Sequence, residues 1–417
     1  MKELFDNGLY TAIGKEDEVT VAFGHINSRP AYGFKQNIEF NKGALSKQGA
    51  EKIAKLYDLA VKTGYPVIGI FNSNGAYVSG DASTLKAYAD ILRKVSKISG
   101  VVPQISVITG LCAGSAALLA CSADFVVMSE KAEFYLTPVF DNTKGGKAQT
   151  ALKNGSISAI AESDAEAFNL ARKILDRLPL NNLDKQLPSP CETIPDFDEK
   201  DLTKSISDPT SQLEINPVYG TVAKTSFARI DGENVGVISI NGELCSQVCR
   251  KISRFVRLLD AFNIPIITLI DTDGFPRDVE AEISGSIKDM AVLANSYSEA
   301  TTAKIAVVTG KAIGAGFTAL TNTSDFTLAF PSAIISPLQP ETYVEFLKRE
   351  ELKTENKNDL ILEYISTLAS ADSALKQGVV DIIVEPSELR VKLSQILSFT
   401  EGKREHKLPK KHNNLPL

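Results

Sequence analysis

Two stretches about two hundred residues apart read as copies of one another. They are Gln104-Ile-Ser-Val-Ile-Thr-Gly-Leu-Cys-Ala-Gly-Ser-Ala116 and Lys304-Ile-Ala-Val-Val-Thr-Gly-Lys-Ala-Ile-Gly-Ala-Gly316. Each is a β-branched apolar run, then Thr-Gly, then a loop of tiny residues, then an apolar helical run. The pattern predicts a buried strand that turns directly into a helix. Small residues at such a hinge let a ligand approach the backbone, and the helix start presents N–H groups without intrahelical acceptors. A hinge of this kind can hold developing negative charge, so two of them point to a site for two substrates.

The surrounding chain repeats in register. Pro66 matches Pro265, Gly75 matches Gly274, Thr109 matches Thr309, Gly114 matches Gly314, and Asp124-Phe125 matches Asp325-Phe326; the offset drifts only from 199 to 201. Ahead of each copy lies an expected hairpin, with Asn27-Ser28 and Asp231-Gly232 as turn dipeptides between alternating segments. A period this long is a duplicated domain and not a solenoid. The 417 residues suffice for two full cores. We expect domains at residues 1–180 and 218–417, joined by a Pro-, Asn-, Asp- and Ser-rich linker at 181–217. Helices are expected from Ser163, capped by Ser163 or Asp164, and over 358–368. The basic tail is expected to be an extended, solvated arm.

Several chemistries are disfavoured. The formal net charge of −6 argues against general nucleic-acid binding. No apolar run is long enough for a membrane helix, and Met1-Lys-Glu-Leu-Phe-Asp6 is unlike a signal peptide, so a cytoplasmic location is expected. The scattered cysteines read as free thiols, and Cys245 with Cys249 lacks further ligands, so no metal is expected. Of the three histidines, His406 and His412 sit in the polar tail and His25 in a hairpin, which leaves Ser115 without an activating base. Asn72-Ser-Asn-Gly75 and Asp271-Thr-Asp-Gly274 read as turns, with acid–base work by their carboxylates as the alternative. Chemistry would therefore rest on backbone donors and on positioning.

Several collinear motifs resemble one family. They are Gly43-Ala-Leu-Ser-Lys-Gln-Gly-Ala-Glu-Lys-Ile53, Asn154-Gly-Ser-Ile-Ser-Ala-Ile-Ala-Glu-Ser-Asp164, Arg254-Phe-Val-Arg-Leu-Leu-Asp-Ala-Phe-Asn-Ile-Pro-Ile266 and Lys411-His-Asn-Asn-Leu-Pro-Leu417. From about residue 20 onward the chain resembles the carboxyltransferase subunits of biotin-dependent acyl-CoA carboxylases and decarboxylases, the propionyl-CoA carboxylase β and methylmalonyl-CoA decarboxylase α type. The resemblance implies an α/β fold of tandem crotonase-like (ClpP/crotonase) domains with ββα superhelical repeats. It implies an enzyme that moves a carboxyl group between carboxybiotin on a carrier protein and the α-carbon of a short-chain acyl-CoA. N–H groups around Gly114, Ser115 and Ala116 would hold the thioester oxygen, and those of Gly314, Ala315 and Gly316 the ureido oxygen of biotin. Gly75 and Gly274 would be substrate-binding turns beside them. Thr318 would line the acyl pocket, and Lys153 with Lys147 are candidates for the CoA phosphates.

No Met-Lys-Met biotinylation sequence occurs, so biotin would arrive on another chain. The implied partners are a biotin carboxyl carrier protein with either a biotin carboxylase or a membrane decarboxylase subunit. The implied assembly is a homodimer or a trimer of dimers. Departures from the pattern stand at both hinges: Gly114-Ser115 replaces Gly-Gly, and Gly314-Ala-Gly316 replaces Gly-Gly-Ala. They leave open an altered substrate or a non-catalytic CoA-binding scaffold; a sodium-pump-coupled decarboxylase subunit is a separate alternative, because partners set the direction.

Overall fold

The computed structural model describes residues 1–77, 82–137, 145–186, 188–189, 191, 193–198, 200–405 and 407–414. His406 and the last three residues of the terminal motif lie outside the described residues. The chain divides into two compact units, Met1–Gln186 and Leu187–Leu417.

In the first unit the strands are β1 (Tyr10–Ala12), β2 (Val19–Ile26), β3 (Arg29–Gln36), β4 (Val67–Ser73), β5 (Gln104–Ala113), β6 (Phe125–Ser129), β7 (Glu133–Tyr135) and β8 (Ala159–Ala161). They form a sheet in the order β1-β2-β3-β4-β5-β6-β8, with β7 on the end of β5. In the second unit they are β9 (Leu213–Ile215), β10 (Ala223–Ile230), β11 (Glu233–Asn241), β12 (Ile266–Thr272), β13 (Lys304–Ile313), β14 (Phe326–Ala329), β15 (Ile334–Ser336) and β16 (Ile382–Ile383). Their order, β9-β10-β11-β12-β13-β14-β16 with β15 on β13, is the same strand for strand. The first three strands of each sheet are antiparallel and the rest parallel. The buried parallel strands carry the apolar runs, as doubly covered strands must.

Helices α1 (Lys47–Thr63), α2 (Ser83–Ile98), α3 (Ser115–Cys121), α4 (Ala148–Lys153) and α5 (Asp164–Asp176) belong to the first unit. The second has α6 (Leu202–Ile206), α7 (Ser246–Ala261), α8 (Val279–Ile283), α9 (Ile287–Glu299), α10 (Gly314–Thr321), α11 (Pro340–Leu347), α12 (Lys357–Thr367), α13 (Ala371–Lys376) and α14 (Leu389–Thr400). Ser163 caps α5 by accepting the Glu166 N–H, as the acid-rich start predicts. Ile53, Leu56 and Tyr57 of α1 and Val248, Ile252 and Val256 of α7 are buried on the apolar faces of these helices.

The twin Thr-Gly pairs have a local cause. Gly110 lies under Asn72, and a Cβ there would come within 2.5 Å of the Asn72 side chain; at Gly310 it would come within 2.3 Å of Asp271. Thr309 Oγ1 donates to the Ile270 carbonyl (3.2 Å), and Thr109 Oγ1 contacts that of Phe71 (3.5 Å). The twin Asp-Phe pairs are equally local: Asp124 accepts the Gln104 N–H and Asp325 the Lys304 N–H, each at 2.8 Å.

Three expectations need correction. The segment at 181–217 is not a plain linker, because α6 and the edge strand β9 belong to the second sheet unit, with Ile206 and Ile215 buried. The repeat also begins ahead of the two hairpins. The Asp6 carboxylate accepts the N–H groups of Asn27 (3.0 Å) and Ser28 (2.8 Å) in the first hairpin turn. Asp208 accepts those of Asp231 (3.0 Å) and Gly232 (2.8 Å) in the second. An arginine holds each acid: Arg172 on Asp6 at 2.5 Å, and Arg390 on Asp208 at 2.7 Å. The basic tail is no free arm either. Lys403, Lys407 and Lys410 pair with Asp325, Asp260 and Glu299 along the second unit.

Candidate active site

At the first hinge β5 ends at Ala113, Gly114 adopts φ 58° and ψ −131°, and α3 starts at Ser115. That backbone geometry favours glycine. The Gly114 N–H is already engaged by the carbonyls of Tyr135 (3.2 Å) and Leu136 (3.1 Å), so it is not a donor to ligand. The N–H groups of Ser115 and Ala116 have no acceptor among the described residues. Ser115 is half-buried and Ala116 buried, which makes Ser115 the accessible donor.

A second donor, absent from the sequence reading, comes from the segment after β4. Leu45 pairs with Ala76 in an isolated parallel bridge. The Leu45 N–H donates to Gly75 O (2.9 Å) and the Tyr77 N–H to Leu45 O (3.1 Å). In such a bridge the intervening Ala76 N–H faces the other way, and it has no acceptor among the described residues. Gly75, at φ 95°, brings this segment against the hinge: a Cβ on it would lie 2.8 Å from Ala113 O and 3.5 Å from Ser115 N. Ala76 and Ser115 thus supply two N–H groups from adjacent segments, the arrangement that binds an oxyanion. No sequence signal marks Ala76, because the bridge to Leu45 is not a local pattern.

The second hinge repeats the plan with different parts. Gly314 has φ 58°, and the N–H groups of Ala315 and Gly316 lie in the first turn of α10 without acceptors among the described residues. Gly274 (φ 94°) backs onto Ile313 O, and its own carbonyl accepts the Leu244 N–H at 2.9 Å. Phe275 stands where Ala76 stands in the first unit. Position 276 is proline where the first copy has Tyr77, so no N–H is available there for Leu244 O. The Cys249 thiol donates to that oxygen instead (3.4 Å). Burial pushes this thiol up to about 12, which keeps its proton in place. A Cβ on Gly316 would come within 2.9 Å of Gly274 Cα, whereas Ala116 carries one in the first unit.

Charge also separates the hinges. Asp273, beside Gly274, accepts from Gln339 Nε2 (2.9 Å) and pairs with Lys311 Nζ (3.1 Å). The Gln339 hydrogen bond, with burial opposing and Lys311 assisting, holds its carboxyl below the usual range. Asp271 supports its turn by accepting the Lys311 N–H at 2.9 Å. The structure therefore brings together Gly75, Gly114, Ser115 and Ala116 at one hinge and Gly274, Gly314, Ala315 and Gly316 at the other. Thr318 is exposed on α10, one turn past its hinge, in the position of the exposed Leu118 on α3. Lys153 is exposed at the end of α4 and makes no hydrogen bond or ion pair to a described residue of the hinge, while Lys147 pairs with Glu133 (2.7 Å).

A duplicated sheet with paired backbone donors at the ends of its parallel strands has known counterparts. The profile of the carboxyl transferase domain matches residues 3–415. The chain belongs to the carboxyl transferase family. It is 34% identical over 442 residues to the propionyl-CoA carboxylase beta chain of Cereibacter sphaeroides, covering 96% of this chain and 86% of the relative. It is 32% identical over 446 residues to the methylmalonyl-CoA decarboxylase subunit alpha of Propionigenium modestum, with the same coverages. The solved transcarboxylase 12S, a hexamer holding methylmalonyl-CoA and methylmalonic acid, superposes with a TM-score of 0.95 at 29% identity, over 100% of this chain and 91% of that one. The carboxyl transferase fold is of the crotonase type, and the chain is an enzyme of the transferase class. The match from residue 3 agrees with the clamp at Asp6 and extends the likeness beyond residue 20. No helix among the described residues is long and apolar enough to cross a membrane.

Proposed function

We propose that this subunit moves a carboxyl group between carboxybiotin, presented on a separate carrier protein, and the α-carbon of a short-chain acyl-CoA of the propionyl or acetyl type. One observation carries the reading: each unit places two backbone N–H groups without acceptors at a strand-to-helix hinge. In the first unit, Ser115 and Ala76 hold the thioester oxygen and meet the negative charge that develops there as the α-proton leaves. Such preorganised donors are worth about 3–4 kcal/mol each. In the second unit Ala315 and Gly316 hold the ureido oxygen. The donor set there fits the group, since a ureido carbonyl needs only donors and Ala315 adds no more than a methyl. Carboxybiotin, when bound, supplies the carboxyl group. Lys153 is assigned to the CoA phosphates and Thr318 to the acyl chain.

Partners set the direction. Co-purification with an ATP-dependent biotin carboxylase assigns carboxylation, and a polytopic membrane partner assigns decarboxylation. The relative named for each direction is similarly close, so neither is favoured. Assembly as a homodimer or a trimer of dimers belongs to the same proposal, as does residence in the cytoplasm, where the five free cysteines would stay reduced.

The test is turnover of methylmalonyl-CoA or malonyl-CoA with a biotin carrier. Proline in the first turn of a helix deletes an N–H and leaves the helix intact. Ser115→Pro and Ala315→Pro should each lower kcat by about 10²–10³-fold. Ser115→Ala keeps the donor and should change kcat less than about threefold, as a surface hydroxyl would. Wild-type rates in both proline variants would remove the backbone donors from the mechanism. No turnover by the folded wild type would leave the scaffold reading.

A further inference from the structure

Beneath the first hinge lies a polar cluster, and the second unit has the apolar Ile240 at the position of one of its members, Gln36. Gln36 ends β3, Ser73 ends β4 and Tyr88 projects from α2; they are 1%, 0% and 2% exposed. Ser73 Oγ accepts the Gly75 N–H at 3.0 Å and is thereby attached to the turn that carries the Ala76 donor. Burial, the largest influence on the Tyr88 phenol, pushes its pKa up and outweighs the opposing effect of nearby Ser73 and Gln36, which keeps it protonated. Among the described residues Gln36 Nε2, Gln36 Oε1 and Tyr88 Oη nonetheless find no hydrogen-bond partner. Buried polar atoms without partners are rare in folded proteins, and an enclosed water bonded to several of them is the usual resolution.

The second unit shows what the alternative looks like. Tyr32 pairs with Val67 as Gly236 pairs with Ile266, which aligns Gln36 with Ile240, Ser73 with Thr272 and Cys112 with Ala312. Ile240 and Ala312 are apolar and buried. Thr272 Oγ1 accepts the Gly274 N–H (3.1 Å) and gives its own proton to Gly242 O (2.6 Å), so this turn is tied to backbone alone. In the first unit no such carbonyl takes the Ser73 proton among the described residues, and the polar cluster stands in its place.

We propose that Gln36 and Tyr88, with an ordered water they enclose, are positioning residues for the acyl-side turn and act through Ser73. The inference rests on the assignment of the first hinge to acyl-CoA. A fixed partner for the Ser73 hydroxyl keeps its lone pair on the Gly75 N–H and so fixes the direction of the Ala76 N–H. The second hinge needs no such support because Thr272 is locked directly.

Tyr88→Phe and Gln36→Leu, made in the full chain with its carrier partner, test this. Each should lower kcat about tenfold by loosening the donor geometry, with KM for the carrier changed less than about twofold. Affinity for an acyl-CoA thioester should fall, while affinity for a CoA thioether lacking the carbonyl oxygen should not. A crystal structure should show ordered solvent within hydrogen-bonding reach of Gln36 and Tyr88. Wild-type kcat and thioester affinity in both variants would overturn the positioning role. Direct Gln36–Tyr88 bonding without solvent would overturn the water. Should the wild type itself show no turnover, the functional reading falls, and the thioester-against-thioether comparison still decides this one.

Discussion

The two units follow one plan strand for strand, yet each solves the same local problems with different chemistry. The hairpin clamp is half-exposed in the first unit, where the Asp6 and Arg172 side chains are each 24% exposed. In the second it is sealed: Asp208 and Arg390 side chains are 5% and 10% exposed, and Arg390 also bonds Ile206 O (2.6 Å) and Asp231 (2.8 Å). The Gly75 turn is held by Ser73 beside a buried polar cluster, and the Gly274 turn is tied to backbone through Thr272. One oxygen, that of Leu45, takes an amide N–H, while its counterpart on Leu244 takes a thiol. A duplicated fold preserves the requirement that each buried polar group be satisfied, and it leaves the means free.

The largest contrast should come from the clamps. Arg390→Ala strands a buried carboxylate and should cost about 3–5 kcal/mol. Arg172→Ala opens a site that water already reaches and should cost about 1 kcal/mol. Denaturant melts read with probes in each unit check this, because a two-unit chain need not unfold in one step. Equal losses would mean that burial does not distinguish the clamps.

The hinges offer the next contrast. Gly316→Ala drives a Cβ to 2.9 Å from Gly274 Cα, against backbone that cannot rotate away. Overpacking of this kind should cost about 1–3 kcal/mol. It should also raise KM for the carrier before it affects acyl-CoA. Ala116→Gly, the reverse change in the first unit, should cost about 1–2 kcal/mol through helix propensity and the loss of a buried methyl. If Gly316→Ala is silent in both stability and KM, the close approach to Gly274 is not a constraint.

Much of this was legible in the sequence because it is local. Strand-to-helix hinges, hairpin dipeptides and the Ser163 cap each depend on residues within one turn of each other. The register of the duplication needed only side-by-side reading. What stayed hidden is long-range. The clamp joins Asp6 to Arg172, 166 residues apart, and Asp208 to Arg390, 182 apart. Asp208 also lay in a Pro- and Ser-rich stretch that masks the three-residue edge strand β9. Ala76 is a donor only because Leu45 pairs beside it. The lysines of the tail resemble a solvated run until Lys403, Lys407 and Lys410 find their acids.

A smaller effect is expected at the Leu244 carbonyl. Cys249→Ala should leave that buried oxygen without its donor and cost about 1 kcal/mol. Cys249→Ser restores a donor and should recover part of the loss. Alanine is the natural residue at the matching position 50, where Tyr77 already serves Leu45 O. Pro276→Ala, which returns an N–H to the second hinge, should therefore make Cys249→Ala less costly. A thermal-melt double-mutant cycle would show the coupling, and strict additivity would separate the thiol from the proline.

The smallest contrast is in acid. Burial pulls the Asp6 carboxyl upward, but the Ser28 N–H, Arg172 and the Asn27 N–H together outweigh it, and the folded pKa lies below the ordinary value. A depressed carboxylate contributes stability above its unfolded pKa, about pH 4, and loses it as pH falls through the folded value. Arg172→Ala removes one of the groups holding that pKa down. The variant should thus trail the wild type in thermal midpoint near about pH 6 and approach it as pH falls below the ordinary carboxylate range and Asp6 protonates in both. A gap that stays constant across that range would show that Arg172 acts on the first unit through packing and its bond to Leu4 O, with the charge of Asp6 playing no part.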